Sequence, residues 1–281
     1  MPTAMVLSNK GDIDMKTCCK INIGLYVTER RPDGYHNLQT VFYPIPLCDE
    51  LLIREAEEDS LLITGIPVNG DLHDNLVMRA LRLVRQYREV PPVSITLHKC
   101  IPSGAGLGGG SSDAAAMMRL LNETFQLGFS DKEMERMVGT LGADCAFFVR
   151  SQPTFAEGIG NEFSSIDIDL SGWYLVLVKP EAFVSTKEAY SRVTPAFPTL
   201  ELHEALARPV EQWRSCVFND FEKSVFALHP VVEEVKRELY SLGASYACMS
   251  GSGSSVFGLF RALPPEVEKH FQGHFCFCCP L

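Results

Sequence analysis

The sequence has no apolar run approaching the roughly 18 residues of a membrane-spanning helix. It is also poor in basic charge: 25 Lys and Arg stand against 35 Asp and Glu, a net charge of −10. The first lack argues against a membrane partner. The second argues against nucleic acid, whose partners present a basic face, and no Lys/Arg cluster here is long enough to make one. An acidic chain that binds a polyphosphate must rely on backbone N–H groups, a few local cations and a metal ion. Residues 1–16 are polar and mixed in charge, without the apolar core of a signal peptide, so a cytoplasmic location is expected.

Cysteine is not scarce, but its ten copies show no framework. They are scattered, and neighbours such as Cys18 and Cys19 are poor disulfide partners, so free buried thiols are expected. Cys276-Phe277-Cys278-Cys279 lacks a second ligand pair at zinc-site spacing and reads as a terminal strand with small apolar thiols.

A chain of 281 residues suits one large or two small domains. Residues 18–29 alternate as a strand, with Ile21, Ile23, Leu25 and Val27 on one face. Arg31-Pro32-Asp33-Gly34 signals a turn, followed by strands over 38–46 and 50–55. Helices are predicted over 75–88, 112–125, 186–193, 200–206 and 230–242, and from a capping box at Ser130 to about Gly142. Further strands are predicted over 93–98, 145–149 and 173–179. The Gly-, Glu- and Ser-rich segment 155–165 suggests a division into 1–155 and 156–281. Helices and strands mix without steady βαβ alternation, which predicts an α+β fold.

The main chemical signal is Pro102-Ser103-Gly104-Ala105-Gly106-Leu107-Gly108-Gly109-Gly110-Ser111-Ser112-Asp113-Ala114-Ala115, with five glycines in seven residues. Glycines admit a ligand close to backbone N–H groups, and the helix that follows adds its free N-terminal donors and positive dipole end. Three phosphate-binding patterns compete. A P-loop needs a Lys before its Ser/Thr, and none is present. Gly104, Gly106 and Gly109 fit a dinucleotide fingerprint, but the element after Phe125 reads as another helix where that fold needs a second parallel strand.

The third pattern fits the whole segment, which resembles the phosphate loop of the GHMP small-molecule kinases. Lys20-Ile21-Asn22-Ile23-Gly24, the run Arg31-Pro32-Asp33-Gly34-Tyr35-His36-Asn37-Leu38-Gln39-Thr40, and the turn Gly251-Ser252-Gly253 resemble the first and third motifs of this family. They are similar to the branch whose acceptor is a cytidyl diphosphate alcohol. The resemblance runs from about Lys20 to Phe260. It implies a two-domain α+β fold, with an N-terminal domain of the ribosomal-protein-S5 type and a ferredoxin-like C-terminal domain. It also implies phosphorylation by ATP of the acceptor's 2-hydroxyl, on the non-mevalonate route to isoprenoid precursors.

Residue by residue, the resemblance implies Asp144 as the base that takes the hydroxyl proton and Lys20 as the cation at the transferring phosphate. Without it, Asp144 would read as a capping or ion-paired carboxylate and Lys20 as a strand-end lysine. Asn22 lies two residues along the strand from Lys20, on the same face, which suits a shared pocket. Tyr35 and His36 are implied to bind the cytidine base, and Gly251, Ser252 and Gly253 to line the substrate side. Asn75, Leu76 and Lys99 match positions around the adenine, and Pro102, Gly104, Gly106, Leu107, Gly108, Gly109, Gly110, Ser111 and Ser112 the phosphates. Mg²⁺ is expected with ATP, with Ser112 as a possible contact and no carboxylate pair assigned to it. The chain is expected to be a monomer or a homodimer. Two other readings stay open: a kinase of the same family acting on homoserine or a mevalonate-type alcohol, and a non-catalytic protein of this fold that senses a nucleotide or metabolite.

Overall fold

The computed structural model describes residues 6–8, 12–68 and 70–281, so the reading of 1–16 as a polar lead falls partly outside it. Contacts group the chain into two units that interleave in sequence. The first holds residues 46–103 and 108–152 together with the N-terminal residues through Cys19. The second holds 20–45, 104–107 and 153–281.

The chain opens with β1 (Val6–Ser8), β2 (Asp12–Arg30), β3 (His36–Glu55) and β4 (Ser60–Gly65). Then follow α1 (Leu76–Arg85), β5 (Val93–Lys99), α2 (Gly109–Thr124) and α3 (Asp131–Val138). Strands β2 and β3 contribute residues to both units. β3 is a single strand through Pro44 and Pro46, where two were predicted. A strand tolerates proline where the ladder does not need its N–H.

In the first unit, β3 pairs antiparallel with β5 through Glu50–His98 to Glu55–Val93, and β5 pairs parallel with β4. Along β5, Val93, Ile95, Leu97 and Lys99 share the buried face. Leu47, Asp49, Leu51 and Ile53 do so on β3. Helix α1 buries Val77, Ala80, Leu81 and Val84, and α2 buries Ala114 to Met118, Leu120 and Leu121. The capping box at Ser130 and Glu133 opens α3 as predicted. Helix α2 starts at Gly109, three residues before the predicted Ser112, behind Gly108 in the left-handed conformation. Residues 146–149 form a 3₁₀ turn and not the predicted strand.

Ten further elements complete the second unit: β6 (Thr154–Glu157), β7 (Glu162–Ser165), β8 (Tyr174–Lys179), α4 (Thr186–Tyr190), α5 (Leu202–Leu206), α6 (Val210–Trp213), α7 (Glu222–Leu228), α8 (Pro230–Ser241), β9 (Tyr246–Met249) and β10 (Val256–Phe260). The terminal strand β11 (Phe275–Pro280) follows. The segment read as a domain boundary holds the hairpin β6–β7, and β6 pairs with β3 at Thr40–Ala156. A second sheet runs β11-β8-β10-β9 and is antiparallel throughout. Its core gathers Val176 and Val178 of β8, Val225 of α7, Val232, Val235 and Leu239 of α8, and Leu25 and Val27 of β2.

One expectation on cysteine is corrected. Cys18 and Cys48 are joined by a disulfide, because the pairing of β2 with β3 brings together residues 30 apart in sequence. Inspection of sequence neighbours alone could not find this cross-strand pair. Cys100, Cys145, Cys216, Cys248, Cys276, Cys278 and Cys279 are free thiols. The cysteine-rich tail is the strand β11, as read, with Cys279 buried and Cys276 and Cys278 half-buried against the second core.

Candidate active site

In the second unit Lys20 sits on β2 and is only 3% exposed. Its ammonium donates to Asn22 Oδ1 at 2.6 Å and to the Gly106 carbonyl at 2.9 Å, and stands 5.0 Å from the Phe42 ring centre. Asn22 Nδ2 donates to Thr40 Oγ1 at 2.9 Å, and that hydroxyl donates to the Gly24 carbonyl. Strand alternation thus puts Lys20 and Asn22 on one face, as the sequence predicts, and fixes the orientation of the amide.

The two glycine turns meet around this pair. Ser250 Oγ accepts from the Asn22 N–H at 3.1 Å and donates to the Gly106 carbonyl at 2.9 Å. The Lys20 N–H donates to the Leu107 carbonyl, and the Ser255 N–H to the Ala105 carbonyl. The approach is backbone on backbone. Gly106 has φ +77°, and a Cβ there would lie 2.0 Å from the Ser250 carbonyl oxygen. A Cβ on Gly253 would lie 2.2 Å from the Gly106 nitrogen. Gly251 lies beside Asn22, and Ser252 is half-buried between the two glycines.

Tyr35 and His36 follow the turn between β2 and β3. The turn is closed by the Arg31 N–H to the Tyr35 carbonyl at 2.8 Å and by the Tyr35 N–H to Asp33 Oδ1 at 3.1 Å. That N–H, helped by Arg31, holds the Asp33 carboxyl below its usual range. Tyr35 is 62% exposed. His36 stacks on Tyr190 with ring centres 4.7 Å apart, and Tyr190 meets Phe221 edge-on. Sequence reasoning passed over Tyr190. Its signal was the capping box Ser185–Glu188, which opens α4 and places Tyr190 in the helix's last turn. Thr40 and Ser250 were also missed; each is a small polar residue within or beside a motif that was read.

The first unit carries the other half of the predicted residues. Asp144 is half-buried in the turn before residues 146–149. Burial of Cys145 pushes its thiol up and the Asp144 charge adds to the rise, while a hydrogen bond with Ser111 opposes both. Ser111 and the Asp144 turn are therefore neighbours. Asn75 caps α1 by accepting the Val77 N–H at 2.9 Å. With Leu76, Lys99, Ser103, Gly110, Asp113 and the apolar Ile63, Val68 and Leu97 it lines a cleft of about 360 Å³. Pro102 is buried at the root of the glycine loop, and Gly104, Gly106 and Gly108 all have positive φ.

Ser112 and Lys99 are set differently from a simple ligand role. Ser112 is 3% exposed, and its hydroxyl donates to the Cys18 carbonyl at 2.8 Å. Lys99 is ion-paired with both Asp49 and Asp113. Burial alone would lower the Lys99 pKa, but the two carboxylates outweigh it and raise it. Burial pushes the Asp113 carboxyl up to about 7; Lys99 and Thr17 oppose the rise and the Asp49 charge adds to it. Among the described residues no group of three His, Cys, Asp or Glu side chains is arranged to hold a metal.

Asp113 ties the stability of the fold to pH. Its carboxyl ionises near 3.8 in the unfolded chain and near 7 in the folded one. Between those values the folded protein binds the extra proton, so the stability tied to this group is complete below about pH 4 and is lost as pH rises through about 7. Urea unfolding of the wild type at several pH values should show that decline, and Asp113→Asn should flatten it. An equal decline in the variant would assign it to other groups.

The GHMP kinases N-terminal domain matches residues 75–152 and the GHMP kinases C-terminal domain matches residues 200–275. A 4-diphosphocytidyl-2-C-methyl-D-erythritol kinase of Bacteroides fragilis is 55% identical over 262 residues, 92% of this chain and 96% of the relative. One of the same name from Chlorobium phaeobacteroides is 38% identical, covering 94% of this chain and 95% of the relative. A crystal structure of 4-(cytidine 5'-diphospho)-2C-methyl-D-erythritol kinase superposes with a TM-score of 0.80 at 30% identity, over 95% of this chain and 99% of that one. Homoserine kinase from Cytophaga hutchinsonii shares the fold, with a TM-score of 0.65 at 18% identity. The α+β two-domain fold expected from the motifs is therefore the fold of this protein, and the chain belongs to the 4-diphosphocytidyl-2-C-methyl-D-erythritol kinase family of GHMP kinases.

Proposed function

We propose that the protein transfers the γ-phosphoryl group of ATP to the 2-hydroxyl of 4-diphosphocytidyl-2-C-methyl-D-erythritol, giving the 2-phosphate and ADP. The observation that carries this reading is the stack of His36 on Tyr190 beside the exposed Tyr35. A planar base has a use for such a platform; homoserine or mevalonate has none.

In this reading the glycine loop and the start of α2 receive the phosphates through backbone N–H groups, which suits a chain with ten excess negative charges. The cleft at Asn75, Leu76 and Lys99 takes the adenine. Asp144 takes the proton of the 2-hydroxyl as its oxygen bonds to the γ-phosphorus and ADP leaves. Lys20, oriented by Asn22 and Gly106, stabilises the charge on the transferring group. Mg²⁺ enters with ATP and neutralises phosphate charge. Residues 1–155 supply the nucleotide motifs and residues 156–281 the third motif, and the protein works in the cytoplasm as a monomer or homodimer.

The test is an ADP-release assay with the cytidyl alcohol, homoserine and mevalonate in parallel. Turnover is expected with the first alone; turnover with another, or none with any, would sink the reading. Tyr190→Ala should raise KM for the cytidyl alcohol by about tenfold through lost stacking, with KM for ATP unchanged. An unchanged acceptor KM would remove the base platform.

A further inference from the structure

Lys99 occupies the last position of an inward-facing row, after Val93, Ile95 and Leu97. Asp49 sits between Leu47 and Leu51 on the inward row of β3, and Thr17 between Met15 and Cys19 on that of β2. These are positions that strand alternation gives to apolar residues. The exposures are 4% for Lys99, 0% for Asp49, 2% for Asp113 and 2% for Thr17.

Their bonds converge on the two roots of the glycine loop. Asp49 Oδ1 accepts the backbone N–H groups of Cys100 and Ile101, which lead into the loop. Its Oδ2 faces the Lys99 ammonium. The same ammonium donates to Asp113 Oδ2 at 2.6 Å, in the second turn of α2, which leads out of the loop. Asp113 Oδ1 accepts from Thr17 Oγ1 at 2.7 Å. All four carboxylate oxygens therefore have partners, and one cation joins entry to exit.

We propose that Asp49, Asp113 and Thr17 are positioning residues for ATP: through Lys99 they fix the two roots of the glycine loop, and the Lys99 ammonium acts as the pin of this clamp and not as a phosphate ligand. The inference rests on reading the loop as the nucleotide site. Charge supports it. With two carboxylates on one ammonium the group has no net positive charge to offer a triphosphate. Two of the three ammonium protons are engaged by carboxylates, in a setting where an unpaired ion is costly.

The clamp makes a prediction that a ligand role does not. Lys99→Met leaves two buried carboxylates facing each other without a cation. Adding Asp113→Asn removes one of them, so the second substitution should repair part of the damage. ATP binding is read by calorimetry without acceptor, with thermal melting to confirm folding. K99M is expected to weaken ATP binding by on the order of a hundredfold, D113N by several-fold, and K99M/D113N to bind about tenfold better than K99M. If the two losses multiply, Lys99 binds ATP independently and the clamp is overturned. T17V and D49N keep the ammonium and carry the test if K99M does not fold. T17V should raise KM for ATP by about threefold with kcat within about twofold, and unaltered ATP affinity in both would overturn the proposal. A wild type that binds ATP but does not turn over the cytidyl alcohol refutes the proposed reaction and leaves this cycle readable. A wild type that binds no ATP refutes the nucleotide-site reading itself.

Discussion

Asp144→Asn is expected to lower kcat by about 10²–10⁴-fold, the range of a positioned general base. The substitution is close to isosteric, so the turn before residues 146–149 and the contact of Cys145 with Ser111 should persist. An amide cannot take the hydroxyl proton. Binding of both substrates should therefore survive while turnover collapses, which single-turnover and calorimetric measurements separate. Lys20→Met is the companion. It removes a cation that Asn22 and the Gly106 carbonyl hold in place, and should cost about 10²–10³-fold in kcat. Near wild-type turnover in either variant would sink the assigned roles.

Gly106→Ala should be strongly damaging for so small a change. Two effects add. The backbone at φ +77° disfavours any residue with a Cβ, at a cost of about 1 kcal/mol. The new methyl would also lie 2.0 Å from the Ser250 carbonyl oxygen, and neither partner is a flexible side chain. The turns must separate, with loss of the bonds from Lys20 and Ser250 to the Gly106 carbonyl. A total loss of about 3 kcal/mol or more in unfolding free energy is expected, with a lower kcat. Gly243→Ala is the control. It has φ +96° after α8 but nothing within 4 Å of the added carbon, so only the backbone cost of about 1 kcal/mol applies. Equal losses in the two variants would show that the contact with Ser250 carries no weight.

Much of the site could be read in the sequence because its motifs are local. Lys20 and Asn22 share a face by alternation, the Asp33-Gly34 turn presents Tyr35 and His36, and five glycines in a row of seven announce a cradle. Helices with a cap and a strong apolar stripe, such as α1 and α3, were placed to within a few residues. The misses have a common origin in long-range contact. In place of the strand predicted over 145–149 there is a 3₁₀ turn over 146–149, since a short run with Phe147, Phe148 and Val149 buried satisfies either reading and only packing decides. The hairpin β6–β7 reads as a domain boundary because its Gly and Glu residues lie at its bend, and its pairing with β3 is 116 residues away at Thr40–Ala156. Asp49, Asp113 and Thr17 were passed over because each is an ordinary polar residue until its partners are known. The clue was there in the row Val93, Ile95, Leu97, Lys99, where a lysine falls on an apolar face and so requires burial of its counter-charges.

The hydrogen bond from the Asn22 N–H to Ser250 joins residues 228 apart. Synthesis runs from the N-terminus, so the strand bearing Lys20 and Asn22 is complete when most of the chain does not yet exist. Until β9 and the turn at Ser250 leave the ribosome, that strand's inward face, with Leu25 and Val27, lacks the core it joins. The strand that carries Lys20 and Asn22 is thus translated long before the turn that receives the Asn22 N–H. A nascent chain therefore passes through an interval in which this apolar strand is uncovered.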